Sequence, residues 1–380
     1  MMNNVLVSLV SDHTIPNVLF ISEMRRERKD IRLYLFISTD SMEKKGKTNS
    51  IIQGSHPSSS EVKTEVIKVI EDSTEDINSK LEDFAKEKLG DGDNLIVNLT
   101  GGTKIMSIGV YNFFKELKST IYYLPIGKNI YKQIFPSLKQ REHKLNFRIS
   151  LKDYLISYGI DIKSRDINRT LKDKKYTEHL FRKFTNNEID MEIIDDLRTL
   201  RNKKQIPLEV EKSSFLNKIA FRTEEEGVLN KKEIKYLTGG WFEEYGYNLV
   251  REHIQLRYDK IGLDVQISHA GTQNEFDVMF VHENILYVIE CKTALKDGKR
   301  SLLNDTLYKL SALKRDFGLI VNGYLFTLDK NLRDREGNIT RDYQNRAALL
   351  GVRLVDSAIL DDERELNKIV DRIRGDRRDV

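Results

Sequence analysis

The chain has 380 residues, 39% of them hydrophobic, enough to bury the cores of two ordinary domains joined by a connecting piece. With 63 basic and 59 acidic residues the formal charge is only +4, so bulk charge does not mark a nucleic-acid binder and partners must be read locally. The single cysteine, Cys291, excludes an intrachain disulfide and a multi-cysteine zinc site and fits a reducing, cytoplasmic setting, and no apolar run reaches the roughly 18 to 20 residues of a membrane helix.

The N-terminal stretch MMNNVLVSLVSDH reads as a first strand instead of a basic export leader. From there to about residue 125, strand-like runs alternate with amphipathic ones: VLVSLV, PNVLFISEMRRE, IRLYLFIS, VIKVI, INSKLEDFAKEKL, NLIVNL, KIMSIGVYNFFKEL and TIYYLPI. This rhythm predicts an α/β fold, a parallel sheet covered by helices, over residues 1–145. Pro16 suits a first helical turn after Thr14, and Ile105, Met106, Ile108, Val110, Phe113 and Leu117 are expected on one apolar helix face. The polar segment SMEKKGKTNSIIQGSHPSSSE is expected to loop over the surface. Residues 146–230 read as a charged, mainly helical connector, in which LKDKKYTEHLFRKF and RTLRNKKQ are expected as solvated helix faces. A further α/β unit, 231–380, opens with the helix WFEEYGYNLVREHIQ.

NLTGGTKIMSIGV places two glycines between a strand and a helix, where backbone N–H groups converge and make an anion site. Thr100 and Thr103 add hydroxyls, Gly101 and Gly102 permit close approach, and Lys104 brings charge. The Gly-x-x-x-x-Gly-Lys spacing of a P-loop is absent, and SDHTIPN lacks the dinucleotide fingerprint, so ATP and NAD are disfavoured.

In FDVMFVHENILYVIECKTA, acids and a lysine interrupt two apolar strands. If Glu283 and Asn284 form a two-residue loop, His282 faces Ile285 and Asp277 faces Glu290, with Cβ atoms about 4.5 to 5.5 Å apart. The period of two puts Lys292 on the same face as Glu290 and turns Ile289 and Cys291 the other way. Two such carboxylates repel by about 3 kcal/mol at an effective dielectric near 20, a cost that Mg²⁺ or Mn²⁺ would offset. Lys292 would then orient water or stabilise charge on a phosphodiester.

An acid near a turn, a strand ending in acid-x-lysine and a preceding helix with a further glutamate resemble the PD-(D/E)xK nuclease superfamily. In GGWFEEYGYNLV, Gly239, Phe242, Glu243 and Leu249 match that family's helix, and Phe276 stands where proline is usual. The resemblance implies Asp277, Glu290, Lys292 and Glu243 as catalytic, with Asp277, Glu290 and Glu243 holding the metal and Glu244 in reserve; Gln344 and Arg346 are candidates from a following helix. VSLVSDHTIPNVLFI together with NLTGGTKIMSIGVY resembles the CRISPR-associated Rossmann-fold (CARF) sensor domain. The whole chain is thus similar to the CARF nucleases of type III CRISPR systems. That similarity implies a homodimer whose sensor binds a cyclic oligoadenylate, commonly the cyclic tetra-adenylate, through Thr14, Asn17, Thr39 and the run Thr100, Gly101, Gly102, Thr103 and Lys104, and which then cuts DNA or RNA. A restriction or repair nuclease without a messenger, and a regulator that holds nucleic acid without cutting it, are the competing readings.

Overall fold

The computed structural model describes residues 3–375 apart from 28–30, 57–62, 137–140, 270, 298–299, 315–316 and 319. The alternating runs of the first third become strands β1 (Asn3–Leu9), β2 (Ile31–Ser38), β3 (Lys63–Lys68), β4 (Asp93–Asn98), β5 (Ser119–Tyr123), β6 (Ile130–Phe135) and β7 (Arg141–Lys144). They form one sheet in the order β3-β2-β1-β4-β5-β6-β7, parallel through β5 and antiparallel beyond it. Helices α1 (Ile15–Glu27), α2 (Asp40–Lys44), α3 (Lys47–Ser55), α4 (Thr74–Lys88) and α5 (Lys104–Lys115) accompany it. The period-2 alternation of β1 decides the two cores: Val5 and Val7 pack with Ile77, Met106 and Val110, whereas Leu6 packs with Phe20 and Ile51. Strand order reverses between β1 and β4, and in such a sheet ligands gather outside the strand ends at that crevice.

Two expectations fail locally. The segment after Thr39 is not a loop but α2 and α3: the Thr39 hydroxyl caps α2 by accepting the Met42 N–H at 3.3 Å, and Ile51 is fully buried. Its Ser and Gly content hid an apolar stripe only a residue or two wide; residues 57–61 of that stretch lie outside the described set. On α5, Met106 and Val110 carry the buried face, while Ile105 and Ile108 are exposed at 37% and 56%, on the side turned away from the sheet.

The connector contains α6 (Leu151–Ser157), β8 (Asp161–Ile162), α7 (Lys174–Thr185), α8 (Met191–Thr199), β9 (Gln205–Pro207), α9 (Val210–Lys218) and β10 (Val228–Asn230). Leu151, Tyr154 and Leu155 of α6 belong to one buried cluster that reaches Leu6 and Phe20 on one side and Val265, Met279 and Val288 on the other. The two halves of the chain therefore share a core, and α6 is its middle.

The last part comprises α10 (Lys231–Lys235), α11 (Trp241–His253), β11 (Ile261–His269), β12 (Thr272–His282), β13 (Ile285–Lys292), the short pair β14 (Lys296–Asp297) and β15 (Arg300–Ser301), α12 (Leu302–Lys314), β16 (Val321–Thr327), α13 (Arg341–Leu349), β17 (Val352–Asp356), α14 (Ser357–Asp361) and α15 (Glu363–Arg374). Its sheet runs β17-β16-β13-β12-β11-β8, with α11 and α15 packed on the face of Ile289 and Phe326 and α12 on the face of Val288 and Leu325.

The β12–β13 hairpin has the expected register, His282 opposite Ile285 and Val278 opposite Ile289. Glu283 and Asn284 both have positive φ, +48° and +64°, as a two-residue turn of this twist demands. That turn is the joint with the N-terminal half. Asn284 accepts the Ile149 N–H at 2.9 Å and donates to Asn129 Oδ1 at 2.8 Å and to the Phe147 carbonyl at 3.0 Å. Glu283 accepts from Asn129 Nδ2 at 2.5 Å and pairs with Arg148 at 2.6 Å.

Candidate active site

At the open end of the hairpin, Asp277 and Glu290 point to one side and Lys292 lies between them. Its Nζ is 2.9 Å from Asp277 Oδ2, 3.1 Å from Glu290 Oε2 and 3.3 Å from the Cys291 carbonyl. Asp277 Oδ2 also accepts the Cys291 N–H at 2.7 Å, which locks the carboxylate to the neighbouring strand. Glu290 is 1% exposed, and its second oxygen takes Lys309 Nζ of α12 at 2.9 Å. Burial raises the Glu290 pKa, Asp277 raises it further, and the two lysines pull it back. For Lys292, burial opposes the charge but Asp277 and Glu290 outweigh it, so its pKa is raised and it stays cationic. Cys291 faces α11 instead, where a Cβ on Gly246 would lie 3.0 Å from its sulfur. Glycine at 246 is what lets the helix approach.

Glu243, in the first turn of α11, enters the same electrostatic neighbourhood. Its pKa is pushed up to about 8, by burial first and by Asp277 second, with Lys235 and Lys292 opposing. The adjacent Glu244 is spent elsewhere: it accepts the Leu171 N–H and, at 3.2 Å, the Lys172 N–H of the connector. Among the described residues no three acid, histidine or cysteine side chains close on a metal by themselves. Yet three oxygens, two carboxylate and one carbonyl, already surround one cation, the Lys292 ammonium. Hard oxygen donors of this kind suit Mg²⁺ or Mn²⁺, so the donor set fits such an ion.

The sensor candidates divide into two groups. Thr14 and Asn17 are fully buried and already bonded: Thr14 Oγ1 donates to the Ser157 carbonyl, and Asn17 Nδ2 to the Leu9 carbonyl at 2.7 Å. Asn98 donates to Asn17 Oδ1 at 2.8 Å and accepts the Thr100 N–H at 3.0 Å, while Thr100 Oγ1 accepts the Leu124 N–H at 2.7 Å. This chain ties the ends of β1, β4 and β5 together. Thr39 is buried as the α2 cap. More exposed are Gly101, Gly102, Thr103 and Lys104 at the start of α5, where the Thr103 hydroxyl accepts the Met106 N–H at 3.1 Å and donates to the Glu71 carbonyl at 2.7 Å. Gly101 has φ +124°, and a Cβ there would stand 2.6 Å from the Leu9 carbonyl oxygen.

The Card1 CARF domain family matches residues 5–154, and the Card1-like endonuclease domain family matches residues 230–367. The chain belongs to the Card1-type CARF endonucleases. Among solved structures it is similar to Can2 from Sulfobacillus thermosulfidooxidans, determined in complex with cyclic tetra-adenylate, at 20% identity and a TM-score of 0.73, covering 97% of this chain and 99% of that one. The protein VC1899 from Vibrio cholerae superposes with a TM-score of 0.74 at 18% identity, over 98% of both chains. A type III CRISPR defence DNA nuclease activated by cyclic oligoadenylate gives a TM-score of 0.57 at 16% identity, covering 86% of this chain and 45% of that chain. No curated protein sequence matches the chain. Among the described residues no helix is long and apolar enough to cross a membrane.

In this CARF endonuclease, Arg346 is engaged by α12, donating to Asn304 at 2.7 Å, and Gln344 is exposed; the structure joins neither to the acids. Three cations around the site were not foreseen: Lys309, and Arg198 and Arg201 of the connector. Arg198 donates to Thr293, next to Lys292, at 2.9 Å, and Arg201 to Thr238, just before α11, at 2.7 Å. The two arginines were signalled in the sequence only by the basic run RTLRNKK.

The raised pKa of Glu243 gives a pH dependence. The unfolded chain ionises this group near 4.5, whereas the folded, ion-free chain keeps its proton to about 8, so its contribution to stability falls as pH rises between those values. A divalent ion bound there would reverse this by displacing the proton. The ion-induced rise in melting temperature is therefore expected to be larger at pH 8 than at pH 6, with about one proton released per site at pH 6 and about half of one at pH 8, measurable by calorimetry in two buffers.

Proposed function

We propose that this endonuclease is metal-dependent, cuts the phosphodiester bonds of DNA or RNA at Asp277, Glu290, Glu243 and Lys292, and is switched on by a cyclic oligoadenylate, cyclic tetra-adenylate being the preferred ring. One observation carries the reading: the hairpin whose open end bears the acids and the lysine is bonded at its turn to the sensor half. Asp277 and Glu290, with the Cys291 carbonyl, would hold Mg²⁺ or Mn²⁺, with deprotonated Glu243 as a further oxygen donor. Such an ion supplies Lewis-acid polarisation of a phosphoryl oxygen and a more acidic water. Lys292, released from its carboxylates, stays charged and faces the phosphate, where an ammonium stabilises the developing negative charge. Lys309 keeps Glu290 oriented through its second oxygen.

The α5 N-terminus, with Gly101, Gly102, Thr103 and Lys104, takes a phosphate of the ring, as helix N-termini do. Thr14, Asn17, Thr39 and Thr100 act by holding the strand ends in place. A two-fold ring calls for a two-fold pair of loops, and the exposed Ile105 and Ile108 of α5 supply apolar surface for a homodimer. The test is cleavage of labelled single- and double-stranded DNA and RNA with Mg²⁺ or Mn²⁺, with and without cyclic tetra-adenylate. Lys104→Ala is expected to raise the activator concentration needed for half-maximal cutting by about tenfold while leaving the fully activated rate near wild type. Equal cutting without the ring would instead identify a messenger-independent nuclease.

A further inference from the structure

The connector reaches the nuclease centre with two guanidinium groups that the acids there do not neutralise. Arg201 donates through Nε to Thr238 Oγ1 and through one Nη to the Thr238 carbonyl, both at 2.7 Å. Those bonds fix one edge of the group against the entrance of α11, a turn ahead of Glu243. A Cβ on the intervening Gly239 would be 3.2 Å from that same Nη, so the residue beside it is small enough to leave it room. Arg198 donates to Thr293 Oγ1 at 2.9 Å, at the end of β13 just past Lys292, and pairs on its other arm with the exposed Asp195. One arginine is thus anchored beside α11 and the other beside β13, two of the three elements that carry the acids.

No carboxylate within salt-bridge distance of Arg201, Lys203 or Lys204 occurs among the described residues, although all three reach solvent, Arg201 with its bonded edge covered. The pKa of Arg201 is lowered, by burial first and by Arg198 second, with Glu243 only partly offsetting this. The two like charges oppose each other, Arg198 being offset by the exposed Asp195 and Arg201 bonded only to the neutral Thr238, and a bound anion relieves that. The bonds to Thr238 leave the other Nη of Arg201 outside them, and a planar guanidinium fixed in this way matches the geometry of a phosphate.

Resting on the nuclease reading above, we propose that Arg198 and Arg201 form a phosphate-binding subsite for the nucleic-acid strand, gripping backbone phosphate next to the scissile one. The α8 end of the connector is then part of the substrate groove as well as a link between halves. Phosphate contacts of this kind position a strand without reading its sequence, so the subsite accepts any base.

The experiment uses the full-length chain with Mn²⁺ and cyclic tetra-adenylate, comparing wild type, Arg198→Gln, Arg201→Gln, Arg201→Lys and Asp277→Asn over a salt series. Each glutamine variant is expected to raise KM about tenfold with kcat changed less than about threefold, and to make log KM shallower against log salt by about one unit of slope. Arg201→Lys should restore the slope but only part of the affinity, because an ammonium lacks the planar fork. Unchanged KM and salt slope, or a fall in kcat alone, would overturn the subsite and leave the arginines as props for Thr238 and Thr293. If Arg201→Gln melts early, Arg198→Gln, whose partners are one threonine and one exposed acid, decides by the same criteria. Wild type that cuts while Asp277→Asn does not, with arginine variants indistinguishable from wild type, sinks this inference alone; wild type inert on every nucleic acid sinks the reading beneath it too.

Discussion

Asp277→Asn is expected to lower cleavage by about a thousandfold or more, corresponding to about 4 kcal/mol of lost transition-state stabilisation. Asparagine keeps the size of the side chain and an oxygen to accept the Cys291 N–H, a bond of 2.7 Å, so the hairpin end stays assembled. What it removes is one of the two charged oxygens that meet the Lys292 ammonium, and with it the charge by which the proposed site would hold a divalent ion. Asp277 also raises the pKa of both Glu243 and Glu290. Its neutralisation should therefore lower both, and the melting temperature of the ion-free protein should hold or rise even as activity disappears. Single-turnover cleavage and thermal melting on the same preparation check both halves. Cutting within about tenfold of wild type, at saturating metal, would remove Asp277 from the metal site.

The hairpin was legible in the sequence because its determinants are local. Two strands of period two and a two-residue turn fix which residues face each other, and the observed pairing of His282 with Ile285 follows from counting. The doubly wound N-terminal sheet was legible for the same reason. What escaped depends on burial that no local pattern carries. Glu243 and Glu244 are neighbours of one type on one helix, and only the tertiary fold sends one toward Asp277 and the other to the Leu171 and Lys172 amides. Thr14 and Asn17 looked like ligand contacts, yet their polar atoms are already used by Ser157 and Leu9. Ile105 and Ile108 fitted a helical apolar face that the sheet does not cover. Lys309 of α12, Arg198 of α8 and Arg201 of the turn after it come from other segments, so nothing short of the fold brings them to Glu290, Thr293 and Thr238.

The second large effect concerns the other end of the hairpin. Asn284 is 9% exposed, and its side chain makes bonds to Ile149, Asn129 and Phe147, all in or beside the sensor half. Its φ of +64° is one that glycine adopts without strain, so Asn284→Gly removes the amide while leaving the turn intact. Truncation leaves a buried N–H and a carbonyl short of partners, a cost of about 1 to 3 kcal/mol each where water cannot replace the bond. The turn is then held to the sensor side by Glu283 alone, through Asn129 and Arg148, a looser joint. If messenger binding is felt at the metal site through this joint, Asn284→Gly should abolish most of the stimulation by cyclic tetra-adenylate while ring affinity and unstimulated cutting stay near wild type. Coupling of a few kcal/mol between two sites is what such a joint must transmit, and losing it costs about 10- to 100-fold in activated rate. Measuring the ratio of stimulated to unstimulated cleavage alongside ring binding separates the possibilities. A preserved ratio would mean that the signal runs through the shared core around α6, where Leu151, Tyr154 and Leu155 offer a second continuous path.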